Sequence, residues 1–402
     1  LRLADAADPD AAEDDEARLD RLFGADTRDP SHPAHDQRQA AALTLAQRLC
    51  IITGGPGTGK TTTVARLLAA RAERALQAGV PAPEVRLLAP TGKAAARLVE
   101  ALRQQTETMA LDDAVRAALP ETASTIHRAL RPVGGSTQRF RHRAGNPLPA
   151  DLVLVDEASM VDLGLMTRLA DALAPHAGLV LLGDRHQLTS VEAGAILGDL
   201  CTLERRVAPL HHSFRFAADS GIGALADAIR AADTERVLAV LRDPARADVA
   251  WHAPDADAPR PLEATRERVL QLADAGYAGF HETAGQPTDR RLAALDRFRI
   301  LCAHRRGPLG SEALNAALER ARREVDGAGE EGRPILVTEN DYGLGLYNGD
   351  VGLIGREAGE AAPRAHFIQP DGSLRSLATA RLPAHETVYA MSVHKSQGSE
   401  FD

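Results

Sequence analysis

Ile51 to Thr62 reads I-I-T-G-G-P-G-T-G-K-T-T, a short apolar strand that runs into a glycine loop and closes on Gly-Lys-Thr. From Gly54 to Thr61 the loop fits G-x-x-x-x-G-K-[ST]. Gly54, Gly55, Gly57 and Gly59 let the backbone turn tightly around Pro56 and Thr58 and point its N–H groups inward, an arrangement that cradles phosphate oxygens. Lys60 is placed for the β- and γ-phosphates, and the Thr61 hydroxyl for a Mg²⁺ ion. Thr62 continues into a helix whose positive end faces the same anion. The reading is a nucleoside triphosphate site, with ATP and Mg²⁺ as the expected ligands.

Working outward, the chain from Leu49 to Asp199 alternates short apolar runs with helical stretches. The expected strands are Leu49–Thr53, Val85–Ala89, Leu152–Val155 and Leu179–Leu182, each a continuous hydrophobic run as in parallel strands buried on both faces. The helix after the loop is expected from about Thr61 to Ala78, stopped by Gly79 and Pro81. This is an α/β, doubly wound nucleotide-binding pattern.

Further along, D-L-V-L-V-D-E-A-S-M (151–160) sets Asp156 and Glu157 at the end of a buried strand. There Asp156 is suited to the metal shell and Glu157 to polarising an attacking water. V-L-L-G-D-R-H-Q-L (180–188) puts Gln187 at the next strand end, within a side chain's reach of a γ-phosphate.

The bulk numbers describe an ordinary globular chain of 402 residues, 44% hydrophobic and 26% charged, long enough for two or three domains. Aromatics at 3% exclude widespread base stacking, and net charge -9 argues against a generally basic nucleic-acid binder. Eight acids crowd the first twenty residues, which read as a solvated linker over 1–30, following on from a missing N-terminal domain. A chain opening on Leu1 is expected to be a fragment. Cys50, Cys201 and Cys302 show no metal or redox spacing, which suits a reducing cytoplasm, and no apolar run reaches membrane-spanning length.

Of the 47 basic residues, only Lys60, Lys93 and Lys395 are lysines and the other 44 are arginines. An ammonium is a compact point charge where guanidinium is a planar fork, so the three lysines are expected to mark sites where that shape matters. Two segments interrupt the α/β rhythm. Residues 131–150, rich in Gly, Pro and Arg, read as either a small basic hairpin or an exposed loop. Short β-prone runs over 333–386 read as a small β-barrel, bracketed by strands at Phe298–Cys302 and Thr387–Ser392.

These stretches come in a recognisable order: G-G-P-G-T-G-K-T-T, L-A-P-T-G-K-A-A-A-R-L, A-S-T-I-H-R, V-D-E-A-S-M-V-D, L-G-D-R-H-Q-L, S-V-E-A-G-A-I-L-G-D, S-F-R-F-A-A-D-S-G-I-G, G-L-Y-N-G-D-V-G and V-H-K-S-Q-G-S-E-F-D. In that order the chain resembles the superfamily 1 DNA helicases, and most closely the RecD-type subunits of bacterial exodeoxyribonuclease V, from roughly Gln37 to the C-terminus. The resemblance implies two RecA-like lobes, the first over 31–204 and the second over 205–402, with 131–150 as a hairpin insert and 333–386 as an SH3-like insert.

It also implies roles for single residues. Gln37 matches the adenine-reading glutamine, and Arg215 an arginine of the second lobe that reaches the γ-phosphate across a cleft. Arg305, with Arg306 beside it, has a similar role, while Glu400 matches a ribose-contacting acid and Gly398 is expected among the nucleotide-binding residues. Pro90, Thr91, Lys93 and His127 of the first lobe, and Ser392, His394 and Lys395 of the second, match a single-strand path. Phosphate contacts without base readout suit a motor that moves over any sequence. The last helicase motif is expected beyond Asp402, so hydrolysis and unwinding are expectations for the full-length protein.

The implied function is ATP-driven, 5′-to-3′ DNA unwinding on single-stranded and duplex DNA, beside RecB- and RecC-like subunits in double-strand break repair. The alternatives are a stand-alone RecD-like helicase and an ATP-binding structural subunit.

Overall fold

The computed structural model describes residues 14–134, 139–188, 194, 196–217, 219–254, 257–326, 331–341, 343–356, 362–369, 372–399 and 401. The chain divides into two units, one ending at Trp251 and the other running from His252.

The first unit opens with α1 (Asp15–Phe23) and α2 (His35–Ala46), then β1 (Leu49–Gly54) and α3 (Lys60–Gln77). There follow β2 (Val85–Ala89), α4 (Gly92–Thr108), α5 (Asp113–Ala117), β3 (Ala123–Thr125), α6 (Ile126–Leu130) and β4 (Leu152–Val155). It closes with α7 (Leu163–Asp171), β5 (Gly178–Gly183), α8 (Ile196–Leu200), β6 (Val207–Leu210), α9 (Gly221–Arg230) and α10 (Thr234–Arg242). The six strands form one parallel sheet in the order β3-β2-β4-β5-β1-β6.

Alternate residues of each strand enter opposite cores, which is why the strand sequences are apolar throughout. Ile51, Val153, Val155 and Leu181 pack with α6 and α7 on one face. Ile52, Leu154, Val180 and Leu182 pack with α3 and α4 on the other. The four expected strands are present, to within a residue at their ends.

The expected linker is in part structured. Residues 1–13 lie outside the described ones, but α1 docks Leu19 and Phe23 against Ala41 and Leu45 of α2 and Leu67 and Ala70 of α3. Its acids are paired with arginines, Glu16 while still largely exposed: Arg38 with Glu16 and with Asp20 at 3.1 Å, Arg74 with Asp15 at 3.4 Å, and Arg28 Nε with Asp20 at 2.8 Å. The Arg28 hydrogen bond draws the Asp20 carboxyl below its ordinary value. Arg18, Arg38 and Arg74 are themselves buried, so the acids answer guanidinium charges that cannot reach water.

The lobe boundary expected at 204/205 also falls elsewhere. β6 hydrogen-bonds in parallel to β1, with Ile51 opposite Val207 and Gly54 opposite Leu210, so the chain beyond residue 205 stays with the first unit up to Trp251. The Pro209 ring is tolerated because β6 is an edge strand. Within 131–150 the antiparallel bridges Pro132–Phe140 and Arg143–Asn146 fold the chain back on itself, and Phe140 is buried. Residues 135–138 of this segment lie outside the described ones.

The second unit contains α11 (Pro261–Glu282), α12 (Thr288–Leu295), β7 (Ile300–Cys302), α13 (Ser311–Asp326), β8 (Pro334–Val337) and β9 (Val351–Gly355). It continues with β10 (Arg364–Ile368), β11 (Leu374–Ala378), β12 (His385–Thr387), β13 (Ala390–Ser392) and α14 (Val393–Ser396). The expected strand over Thr387–Ser392 is divided. Its first residue ends β12 in an antiparallel sheet, and its last three form β13, which pairs in parallel with β7.

The five-stranded sheet β11-β10-β9-β8-β12 fills the region expected as a barrel, with Ile335, Ile354 and Phe367 in its core. Its ladder runs from β11 to β12, and among the described residues no pairing joins those two edges. Asn315 of α13 holds β13 by both amide atoms, donating to Ala390 O at 2.8 Å and accepting from Ala390 N at 2.7 Å.

Candidate nucleotide-binding site

The loop between β1 and α3 is shaped by its glycines. Gly57 (φ 73°) and Gly59 (φ 80°) adopt the left-handed conformation, which side chains resist. Within the loop the Thr58 hydroxyl donates to Gly55 O at 2.9 Å. From outside, buried Gln37 of α2 donates its amide to Thr58 O at 3.0 Å. Lys60 Nζ curls back to Gly54 O at 2.8 Å and Gly55 O at 3.1 Å, which keeps the ammonium over the loop. Thr61 and Thr62 form the first turn of α3.

These contacts make Gly59 a sensitive position, because an added Cβ would meet the Gln37 amide as well as an unfavourable φ. Gly59→Ala is expected to cost about 1–2 kcal/mol from the backbone alone. Thermal unfolding of the variant checks this, and an unchanged Tm would contradict it.

Two neighbouring strands deliver the acids. β4 ends at Val155, and Asp156 N extends its ladder to Leu88 O at 2.9 Å. Glu157 then takes a left-handed backbone (φ 49°, ψ 41°) while its N–H bonds Asp156 Oδ1 at 2.9 Å. For a non-glycine residue such a conformation is strained, a feature that clusters at functional sites. Burial pushes both carboxyls above their ordinary values. For Glu157 the charges of Asp156 and Asp184 push further, and Lys60 and Arg97 oppose them.

β5 lies between β4 and β1 and ends near Asp184, which is buried and accepts His186 N at 2.9 Å and, through its carbonyl, Gln187 N at 3.1 Å. Loop, Asp156, Glu157 and Gln187 therefore converge at the carboxyl edge of one sheet, where open α/β sheets bind ligands. Sequence reasoning alone passes over Asp184, although it stands three residues before Gln187.

Arg215 requires a correction. It belongs to the first unit, not to a second lobe across a cleft. After β6 the chain crosses back over the loop. Phe214 N donates to Gly57 O at 2.8 Å and Ser213 Oγ to Pro56 O at 3.2 Å, and a Cβ on Gly57 would collide with Arg215 Cβ. His211 is tied at the same time to Asp36 at the start of α2, its N–H and Nδ1 each 2.9 Å from Asp36 Oδ2.

The expected single-strand residues fall in two groups, one in each unit. In the first unit β2 and β3 pair with Ala89 opposite Thr125, so Pro90–Lys93 and His127 leave the sheet side by side. Thr91 caps α4 by accepting from Ala94 N at 3.2 Å, and His127 packs on Phe140 with ring centroids 6.0 Å apart. In the second unit Ser392 ends β13, and His394 and Lys395 lie on α14. Lys395 Nζ is 2.6 Å from Glu386 Oε1, and Arg305 lies 3.9 Å from the other oxygen of that carboxylate and 2.8 Å from Glu312. Gly398 has a left-handed φ of 70°, and Glu400 lies outside the described residues.

The AAA domain family matches residues 32–250, which include every element placed around the loop. The chain belongs to this family. It is 45% identical over 395 residues to the RecBCD enzyme subunit RecD of Mycolicibacterium smegmatis, covering 96% of this chain and 66% of that one. The same subunit of Mycobacterium tuberculosis is 46% identical over 378 residues, covering 91% and 63%. The ATP-dependent RecD2 DNA helicase of Deinococcus radiodurans is 31% identical over 374 residues, covering 91% and 44%. The chain thus spans slightly under two thirds of the length of these two RecD subunits.

Among the described residues no group of three or more His, Cys, Asp or Glu side chains is assembled to hold a metal. One hydroxyl, Thr61, and one desolvated carboxylate, Asp156, suit an ion whose remaining ligands are phosphate oxygens and water. The raised Asp156 carboxyl fits this, because a cation beside it would offset the cost of its burial. No helix among the described residues is long and apolar enough to cross a membrane.

Proposed function

We propose that the full-length protein is an ATP-dependent DNA helicase acting as the RecD motor subunit of exodeoxyribonuclease V in double-strand break repair and recombination, alongside RecB- and RecC-like subunits. The observation that carries this reading is the gathering of Lys60, Asp156, Glu157 and Arg215 about one phosphate loop, with Gln187 just past the end of the adjoining strand, in a chain 45% identical to a RecD subunit.

In this reading residues 54–62 bind the phosphates and Gln37 meets the base. Thr61 and Asp156 hold Mg²⁺, Glu157 orients the water, and Arg215 stabilises charge on the γ-phosphate. Arg305, Gly398 and Glu400 keep, in this reading, the nucleotide-binding roles that the helicase resemblance implies for them. The sheet over 334–387 serves as the SH3-like insert, 131–150 as the hairpin insert, and movement is 5′-to-3′. The likeness to a RecD2 helicase favours a second reading, a stand-alone enzyme, which co-purification of the full-length protein with RecB- and RecC-like subunits would exclude.

The test is ATP hydrolysis with and without single-stranded DNA, together with displacement of a labelled strand from a tailed duplex. DNA-stimulated turnover with displacement is expected. ATP binding without either would favour a structural subunit.

The lysines give a separate prediction. If Lys93 and Lys395 touch DNA phosphates, replacing either with Ala weakens single-strand binding uniformly across sequences and reduces the salt slope by about 0.7 for each lysine removed. Titrations at several salt concentrations measure this, and an unchanged slope would remove the lysine from the DNA path.

A further inference from the structure

A second arginine lies against the phosphate loop, and nothing in its local sequence, A-I-R-A-A-D, marks it. Arg230 is the last residue of α9. Its Nη1 is 2.7 Å, and its Cζ 3.8 Å, from the point that a Cβ on Gly55 would occupy. Asp184 Oδ2 is 3.9 Å from the same point. The carbonyl of Gly55 accepts the Lys60 ammonium at 3.1 Å, so one loop residue is attended by both cations.

This end of the loop is the hydrolytic one. Gln37, the base-side residue, reaches the loop at Thr58 and Gly59, whereas Asp184 is one of the charges acting on Glu157.

The reach of Arg230 is set by a well-anchored helix. Ser220 Oγ accepts from Gly223 N at 3.1 Å, and Asp248 accepts from Gly221 N at 2.9 Å and Ile222 N at 3.1 Å, so the start of α9 is fixed from two sides. At the other end Ala232 turns left-handed (φ 53°) into α10. The guanidinium pairs with Asp227, one turn back on the same helix, whose side chain is 55% exposed. A pair that open to water is weak and easily exchanged. A triphosphate arriving beside Asp156, Glu157 and Asp184 adds negative charge to three carboxylates, and a planar fork is the group best shaped to bind a phosphoryl oxygen pair.

We propose that Arg230 reads the γ-phosphate, exchanging Asp227 for terminal phosphate oxygens and giving the site its preference for triphosphate over diphosphate. The absence of a side chain at Gly55 is what leaves room for it. This inference rests on the nucleotide-binding reading above and adds a residue to it.

The test is equilibrium binding of Mg²⁺–ADP and of a non-hydrolysable Mg²⁺–ATP analogue to the full-length protein and to Arg230→Gln and Arg230→Lys. In Arg230→Gln, affinity for the analogue is expected to fall about 10- to 100-fold, with ADP affinity unchanged. Arg230→Lys should recover part of the loss. An unchanged ratio of the two affinities, or an equal fall in both, overturns the proposal and makes Arg230 a packing residue. Failure of the unmodified protein to bind either nucleotide is a different result, and overturns the nucleotide reading itself.

Discussion

Glu157→Gln in the full-length protein lowers ATP turnover by about 10²–10⁴-fold while ATP binding persists, the range expected when a proton-accepting group is removed. Gln keeps the size of the side chain and its strained backbone position, but it cannot accept a proton from water. The phosphate contacts of the loop and the Thr61 and Asp156 metal donors are untouched, so binding and hydrolysis separate. Lys60→Ala acts on the other half of the site. It removes the ammonium held over Gly54 and Gly55, so both binding and turnover fall. Steady-state hydrolysis paired with nucleotide titration distinguishes the two variants. Near-normal turnover in Glu157→Gln would sink the assignment of the water-polarising carboxylate.

Arg215→Ala lowers turnover by about 10³-fold or more, as expected for loss of an arginine that stabilises charge in phosphoryl transfer. The backbone beside Arg215 is fixed to the loop by the Phe214 N–H to Gly57 O bond, which the substitution leaves in place. Loss of activity would therefore report the guanidinium rather than a displaced loop. Arg215→Lys should rescue poorly, since a point charge does not reproduce a two-pronged donor. Because Arg215 sits in the same unit as Lys60, its effect should persist in ATP hydrolysis measured without DNA. A variant impaired only when DNA is present would contradict that placement.

What the sequence made legible was chemistry concentrated in short stretches. The glycine loop, Lys60 and the Asp156–Glu157 pair are each dictated by neighbours a few residues away, and the strands that carry them are apolar on both faces. What it hid were pairings between distant residues. The acids of α1 looked solvated because their partners, Arg38 and Arg74, lie far down the chain and are buried only after folding. V-A-P-L carries a proline and is only four residues long, so nothing local announced it as the strand that keeps Arg215 beside the loop. Arg230 closes an unremarkable helix, and its relevance comes from α9 lying next to Gly55. The barrel region read correctly as β-rich, but the alternation of its short runs could not specify where β12 would stop and β13 begin.

The docking of α1 also has a consequence for the order in which the chain takes shape at the ribosome. Its nine residues are too few to hold a helix alone in water, and the surface it packs on includes α3, which ends at Gln77. At 5–20 residues per second the segment waits roughly 3–10 s for that surface to be synthesised. Through this interval Leu19 and Phe23 are carried among Asp14, Asp15, Glu16 and Asp20, charges that keep the nascent segment hydrated and apart from its neighbours. Asp15, Glu16 and Asp20 then take up the arginines of α2 and α3, so the first described helix to be synthesised takes its final form only after α3 has been made.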